Sequence, residues 1–277
     1  MKDYAQSKSN VSVIIPCYRC NDTILRAIDS VINQTWMPQE VILIDDYSND
    51  DGKTLNLLHK IASDHQQINI RIIALDHNLG PGNARNVGWQ EASQAYIAFL
   101  DADDAWHPRK LEIQFSWMLE HPNVLMSGHL SAKLNLDSFL PEVPKHIYAF
   151  AMTKWRLLLS NQFPTRSVML RRDIQRRFVA EKRYAEDYLL WLTIFFDKPT
   201  WFIKIPLAFS FKGDYGDAGL TANLWASELG ELDTYKRIYS SGLINFPEFV
   251  LTFCFSIFKF MRRLIIVGYR LLTSRNK

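Results

Sequence analysis

The chain has 277 residues, 48% of them hydrophobic, and its 32 Lys and Arg against 29 Asp and Glu leave a net charge of +3. Such a length and apolar share support a sizeable core in one large or two small domains, which excludes a disordered or low-complexity chain. The charge is uneven: six basic and no acidic residues follow Glu248, so residues 1–248 carry about −3 and the remainder +6, and the two parts face different partners, none of them a nucleic acid.

Residues 1–10 (MKDYAQSKSN) are a polar tail with no apolar run, so no signal peptide is expected. Residues 11–18 (VSVIIPCY) read as a buried strand, with Pro16 near its end, where a missing N–H is tolerated. Cys17 and Cys20 form a C-x-x-C without a second pair. With Cys254 as the third and last cysteine, a disulfide framework is not expected, and a reducing compartment fits. Ile24, Ala27, Ile28, Val31 and Ile32 recur at helical spacing after a cap at Asn21 or Asp22. A second apolar run, 41–44, ends in Asp45, Asp46, Tyr47, Ser48, Asn49 and Asp50. A helix over 53–63 leads to a third strand, 70–75, and then to a loop containing Gly80, Pro81 and Gly82. Helical periodicity resumes over 84–92.

The next stretch, AYIAFLDADDAWHPRK from Ala95, runs an apolar strand into Asp101, Asp103 and Asp104 before Pro108 opens a helix over 111–120. Carboxylates this close repel one another, and either solvent or a hard cation with oxygen ligands relieves them. Asp-x-Asp at a strand end is therefore a candidate Mg²⁺ or Mn²⁺ site, and a solvated turn is the plain alternative. The order βαβαβαβ predicts a parallel sheet with helices on both faces, and ligands of such sheets bind outside the carboxyl ends of the strands.

Beyond it the pattern predicts strands over 124–130, 165–170 and 201–212, a short helix over 154–159, and a strongly apolar helix over 186–196 (EDYLLWLTIFF). Glu186 and Asp187 stand at that helix's N-terminus, where its dipole favours negative charge. Residues 213–219 form a loop with three glycines. Over 249–272 the chain is very hydrophobic, but its longest uncharged run, 249–258, is about half of what a bilayer crossing needs. Thr252, Ser256, Lys259, Arg263 and Arg270 fall along one side at helical spacing, opposite Phe253, Ile257, Phe260, Leu264 and Val267. That is the pattern of a helix lying on a membrane surface with its basic side towards anionic headgroups, or of a helix packed on its own domain.

Taken together, VSVIIPCYR, VILIDDYSND, NLGPGNARNVG, AYIAFLDADDAWHP and EDYLLW resemble, in order and separation, the successive motifs of family 2 glycosyltransferases over roughly residues 11–197. The resemblance implies an α/β, Rossmann-like GT-A nucleotide-diphospho-sugar transferase fold, with a mostly parallel central sheet and helices on both faces. It would span 11–242, with a nucleotide-binding half (11–120) and an acceptor half (121–242), followed by the amphipathic helix, 246–273. It places Pro16, Tyr18, Asp46, Gly82, Arg85, Asn86 and Asp101 around a nucleotide-sugar donor, with Asp46 accepting the uracil N3–H. It makes Asp103, with Asp101, the ligand of a Mn²⁺ or Mg²⁺ cofactor, and Asp187 the base of an inverting transfer. Glu186, Trp191 and Lys212 are candidate acceptor contacts. Tyr47 stands where the family often has glycine.

The expected activity is hexosyl transfer from a nucleotide sugar, UDP-linked by this reading, to a lipid-linked glycan or growing surface polysaccharide. The expected location is peripheral, on the cytoplasmic side of a bacterial inner membrane, with residues 249–272 meeting the membrane surface. Transfer to a polyprenyl phosphate and a non-catalytic nucleotide-sugar-binding role are the alternatives. A nucleotidyltransferase would need a glycine-rich, basic loop after the first strand, and PCYRCND is not one.

Overall fold

Alternate residues of the first strand serve opposite faces of the sheet: Val13 and Ile15 join one buried apolar cluster and Ile14 the other. A strand covered on both sides reads as a continuous apolar run, which is why no polar alternation marks it in the sequence. A computed structural model describes residues 7–135, 139–211 and 223–274. Its first half is a series of βαβ units: β1 (Ser7–Cys17), α1 (Ile24–Ile32), β2 (Trp36–Asp45), α2 (Lys53–Asp64), β3 (Asn69–Ala74), α3 (Pro81–Glu91) and β4 (Tyr96–Phe99). These strands lie side by side in the order β3-β2-β1-β4, all parallel, as helical crossovers require.

The second half contributes β5 (Asp104–Trp106), α4 (Lys110–Glu120), β6 (Met126–Lys133), β7 (Ala149–Ala151) and α5 (Lys154–Leu159). A single 3-10 turn (Thr165–Ser167), β8 (Met169–Arg171), α6 (Glu186–Asp197) and β9 (Trp201–Ser210) follow. The sheet continues β4-β8-β6-β9-β5, with β7 on β9. Here β8 runs antiparallel to β4 and β6, β5 and β7 run antiparallel to β9, and only β6 and β9 are parallel. The sheet is thus parallel where the nucleotide-binding half was expected and mixed beyond it. One core cluster lies under α1 and α4. The other lies under α3 and α6, and α3 sits so close that a Cβ on Gly88 would come 2.6 Å from Ile14 Cγ2.

Two helices close the chain, α7 (Leu224–Ser240) and α8 (Phe246–Ser274). The outcome for α8 differs from the sequence expectation in which side faces out. Thr252 and Ser256 are fully buried, and Ser256 Oγ donates to Glu228 Oε1 at 2.8 Å. Lys259 Nζ reaches Glu231 Oε1 at 2.5 Å and the Leu159 carbonyl at 2.8 Å, and Arg263 pairs with Glu231 at 3.4 Å. The polar side therefore docks on α7 and α5. Phe260, assigned by spacing to the opposite side, is buried against Trp225, with ring centroids 4.7 Å apart. The outward face is mostly apolar, with Leu251, Met261, Phe258 at 67% exposure and Ile265 at 70%, and carries one exposed cation, Arg262. Among the described residues no helix is long and apolar enough to cross a membrane.

Candidate active site

The carboxyl ends of β1, β2 and β4 and the N-termini of α3 and α6 meet at one edge of the sheet. Pro16 is half-buried at the end of β1 and Tyr18 is exposed just past it. Arg19, in the left-handed region at φ 47°, ties this end to the next loop: its Nε donates to the Ser48 carbonyl at 2.9 Å and its backbone N–H to Ser48 Oγ at 3.0 Å. Ser48 Oγ in turn donates to Asp45 Oδ1. Asp46 is buried, and its two oxygens accept the backbone N–H groups of Leu79 (2.7 Å) and Gly80 (2.9 Å). The first duty of this carboxylate is to hold the loop that starts α3, and burial raises its pKa. Each oxygen keeps a second lone pair for a ligand donor.

Gly80, at φ 84°, and Pro81 at the first helical position start α3 in the way such helices favour. A Cβ on Gly82 would lie 3.0 Å from Glu186 Cγ, so α3 and α6 begin almost in contact. One turn on, buried Arg85 bridges two carboxylates. It donates to Asp101 Oδ1 at 2.6 Å and to Glu186 Oε1 at 3.1 Å, with its guanidinium carbon 5.5 Å from the Phe178 ring centroid. Burial opposes its charge, but the two acids outweigh burial and raise its pKa. Asn86 donates to the Phe178 carbonyl at 2.8 Å and accepts the Phe178 N–H at 3.0 Å, which ties α3 to the wall of the site; a second amide N–H and a second oxygen lone pair remain.

Past β4 the chain turns through Asp101 and Asp103, both half-exposed, and into Asp104, the first residue of β5. Asp104 is buried. Its Oδ2 accepts from Arg166 at 3.0 Å, whereas Oδ1 has no hydrogen-bond partner. Burial first, then the charges of Asp101 and Asp103, push it up to about 7 against the pull of Arg166. Crowded, oxygen-only donors with one orphaned oxygen fit a hard divalent cation. No three His, Cys, Asp or Glu side chains among the described residues make a closed cage, so such a cation would complete its shell from water and substrate oxygens, as Mg²⁺ commonly does. Arg26 steadies the turn by donating to the Asp103 carbonyl at 2.6 Å.

Glu186 and Asp187 open α6 after Ala185, which takes a left-handed conformation at φ 53°. Burial and the charge of Asp187 push Glu186 up to about 7, partly offset by Arg85. Asp187 Oδ2 accepts from Asn161 Nδ2 at 3.0 Å and from Thr165 Oγ1 at 3.2 Å, Oδ1 accepts the Tyr188 N–H at 2.7 Å, and burial raises its pKa. A fixed carboxylate with a raised pKa is a stronger base than a solvated one. Asn161, Thr165 and Arg166 were not singled out from the sequence: Asn161 follows α5 in a loop, and Thr165 and Arg166 fall in a predicted strand whose first residues form a 3-10 turn ahead of β8.

Trp191 corrects an expectation. It is fully buried, with its ring centroid 5.8 Å from that of Phe178 and 6.2 Å from that of Phe99, so it is core and cannot stack on an acceptor sugar. Lys212 and the 213–219 loop lie outside the described residues.

A family model described as "Glycosyl transferase family 2" matches residues 12–178. The chain is 33% identical over 187 residues to the Escherichia coli UDP-Glc:alpha-D-GlcNAc-diphosphoundecaprenol beta-1,3-glucosyltransferase WfgD, covering 68% of this chain and 70% of that one. Among solved structures, Staphylococcus aureus TarS 1–349 in complex with UDP-GlcNAc superposes with a TM-score of 0.67 at 20% identity, over 88% of this chain and 70% of that one. The mannosyltransferase PcManGT of Pyrobaculum calidifontis, in complex with GDP-Man and Mn2+, gives 0.66 at 17% identity, over 91% and 71%.

Proposed function

The chain belongs to glycosyl transferase family 2, and from that premise we propose that it is an inverting, metal-assisted hexosyltransferase acting from a nucleotide sugar, UDP-linked by preference, onto a lipid-linked or growing surface glycan. One observation carries the reading: Arg85 draws Asp101, at the end of a parallel strand, and Glu186, at the start of α6, to a single guanidinium, with Asp187 the next residue. Donor-side and acceptor-side acids thus share one cleft edge. Relatives support the acceptor class, since WfgD is named for a sugar carried on a lipid diphosphate.

In this reading Pro16, Tyr18 and the Asp46-braced loop floor the nucleotide, and Gly82 lets backbone approach it. Asp101 and Asp103 would hold Mn²⁺ or Mg²⁺, with Asp104 behind them; the cation, when bound, offsets the charge of the donor's phosphates. Asp187 takes the proton from the acceptor hydroxyl as that oxygen attacks the anomeric carbon and the bond from that carbon to the phosphate oxygen breaks, releasing the nucleoside diphosphate; Asn161 and Thr165 keep the carboxylate aimed. Glu186 borders the same space and is proposed to hydrogen-bond the acceptor sugar. Helix α8 seats the enzyme on the inner face of the membrane through its outward apolar row, which raises the effective concentration of a bilayer-bound acceptor.

The test is Asp187→Asn. Loss of a positioned base costs about 10²–10⁴-fold in turnover, while UDP affinity should change little because no donor contact is removed. A variant that still releases UDP at the wild-type rate with acceptor present would show that another group is the base.

A further inference from the structure

Beside the site is a cavity of about 440 Å³ that none of the roles above uses. Phe150 and Phe202 line it from the sheet, Met152 from just past β7, and Leu159 and Phe255 from α5 and α8. Arg156 and Lys259 are its two cations. Lys259 is largely committed to Glu231 and the Leu159 carbonyl. Arg156 is not: it is exposed, lies with its guanidinium carbon 5.1 Å from the Phe150 ring centroid, and no ion pair among the described residues holds it. An apolar wall with an uncompensated guanidinium at its rim suits an amphiphilic anion, because the ring faces take a hydrocarbon and the planar fork takes a phosphate.

Position makes the occupant specific. Ser160 and Gln162 line the cavity, and Asn161 between them donates to Asp187 Oδ2 at 3.0 Å. A three-residue stretch therefore separates the candidate base from the apolar wall. On the far side, Phe255 belongs to the helix whose outward row is Leu251, Phe258, Met261 and Ile265. The cavity thus lies between the candidate base and helix α8, with its outward apolar row.

We infer that this cavity receives the diphosphate and the first isoprenoid units of a polyprenyl-diphosphate acceptor, whose sugar then lies at Asp187. The inference rests on the transferase reading above. Arg156 holds the diphosphate, the phenylalanine rings hold the chain, and the rest of the lipid leaves along α8.

Binding to the full chain, measured by calorimetry with saturating UDP and Mn²⁺ so that the donor site is filled, tests it with farnesyl diphosphate, farnesol and inorganic diphosphate. Farnesyl diphosphate should bind without displacing UDP and more tightly than either fragment. Arg156→Ala, at an exposed helix position where folding is not at issue, should weaken it about tenfold or more, the worth of a charge-assisted hydrogen bond. Phe255→Ser should weaken farnesyl diphosphate and farnesol alike, and neither variant should alter UDP affinity. Absence of binding beside bound UDP, displacement of UDP, or equal affinity in wild type and Arg156→Ala would overturn the inference while leaving the transferase reading in place. Failure of UDP itself to bind would remove both.

Discussion

Glu186 carries the most informative carboxyl in the molecule. Burial and the neighbouring charge of Asp187 push it up to about 7, and Arg85 recovers only part of the shift. The folded-state pKa is raised, so between the ordinary carboxylate value and about 7 the native chain binds more protons than the unfolded one, and stability falls as pH rises through that window. Relative to Glu186→Gln, the wild type should lose on the order of 3 kcal/mol between about pH 5 and pH 8, read from urea midpoints at both. Parallel profiles for the two proteins would show that Glu186 does not titrate there. Each acid stands where an element stops or starts, Asp46 after β2, Asp101 and Asp103 after β4, Asp187 in the first turn of α6, and the resemblance to family 2 is what assigned them roles. Their partners were not legible. Asn161 and Thr165 stand 26 and 22 residues before Asp187, and Arg166 meets Asp104 across 62 residues, separations that no local pattern encodes.

Helix α7 shows how packing overrides propensity at the level of an element. A Cβ on Gly230 would lie 2.7 Å from the Tyr184 carbonyl oxygen and 2.6 Å from Tyr184 Cβ, against the backbone that leads into the left-handed Ala185. Replacing a helical glycine by alanine ordinarily gains up to about 1 kcal/mol, but the obstacle here is main chain and cannot rotate away. Gly230→Ala should therefore destabilise by about 1–3 kcal/mol in chemical denaturation, and a more stable variant would show that the two segments separate easily. Long apolar or strongly periodic elements were found where expected, β1, α1, α4 and α6 among them. The three residues of β5 are too few to show a period. The first strand begins at Ser7, within what reads as a polar tail, because Ser9 and Ser12 are buried with their hydroxyls bonded to the Met37 carbonyl and Glu40. The two sides of α8 were legible as a pattern, but not which side docks. That choice is made by Glu228 and Glu231, which lie 28 residues before Ser256 and Lys259.

Across the whole molecule, this orientation changes how the excess positive charge of the tail can act. Lys259 and Arg263 are turned inward onto Glu228 and Glu231, so the outward face of α8 is mostly hydrocarbon, with Arg262 its exposed cation, and in the proposed seating apolar contact leads. Flotation with anionic vesicles should survive a rise from about 0.1 M to about 1 M salt, because screening acts on charges and not on apolar insertion. It should be lost in Phe258→Glu and Ile265→Glu, which alter exposed positions only. Binding that disappears in salt and is indifferent to those two changes would mean that electrostatics dominates after all. Arg85 has a reach of its own at this scale, because the turn after β4 and the start of α6 share its buried guanidinium. Whatever draws on Asp101 frees that cation to lean on Glu186, so filling one compartment alters the proton affinity in the other. The two substrates should then be admitted in sequence, sugar nucleotide ahead of glycan, and initial-rate and product-inhibition patterns should show a compulsory order rather than independent entry.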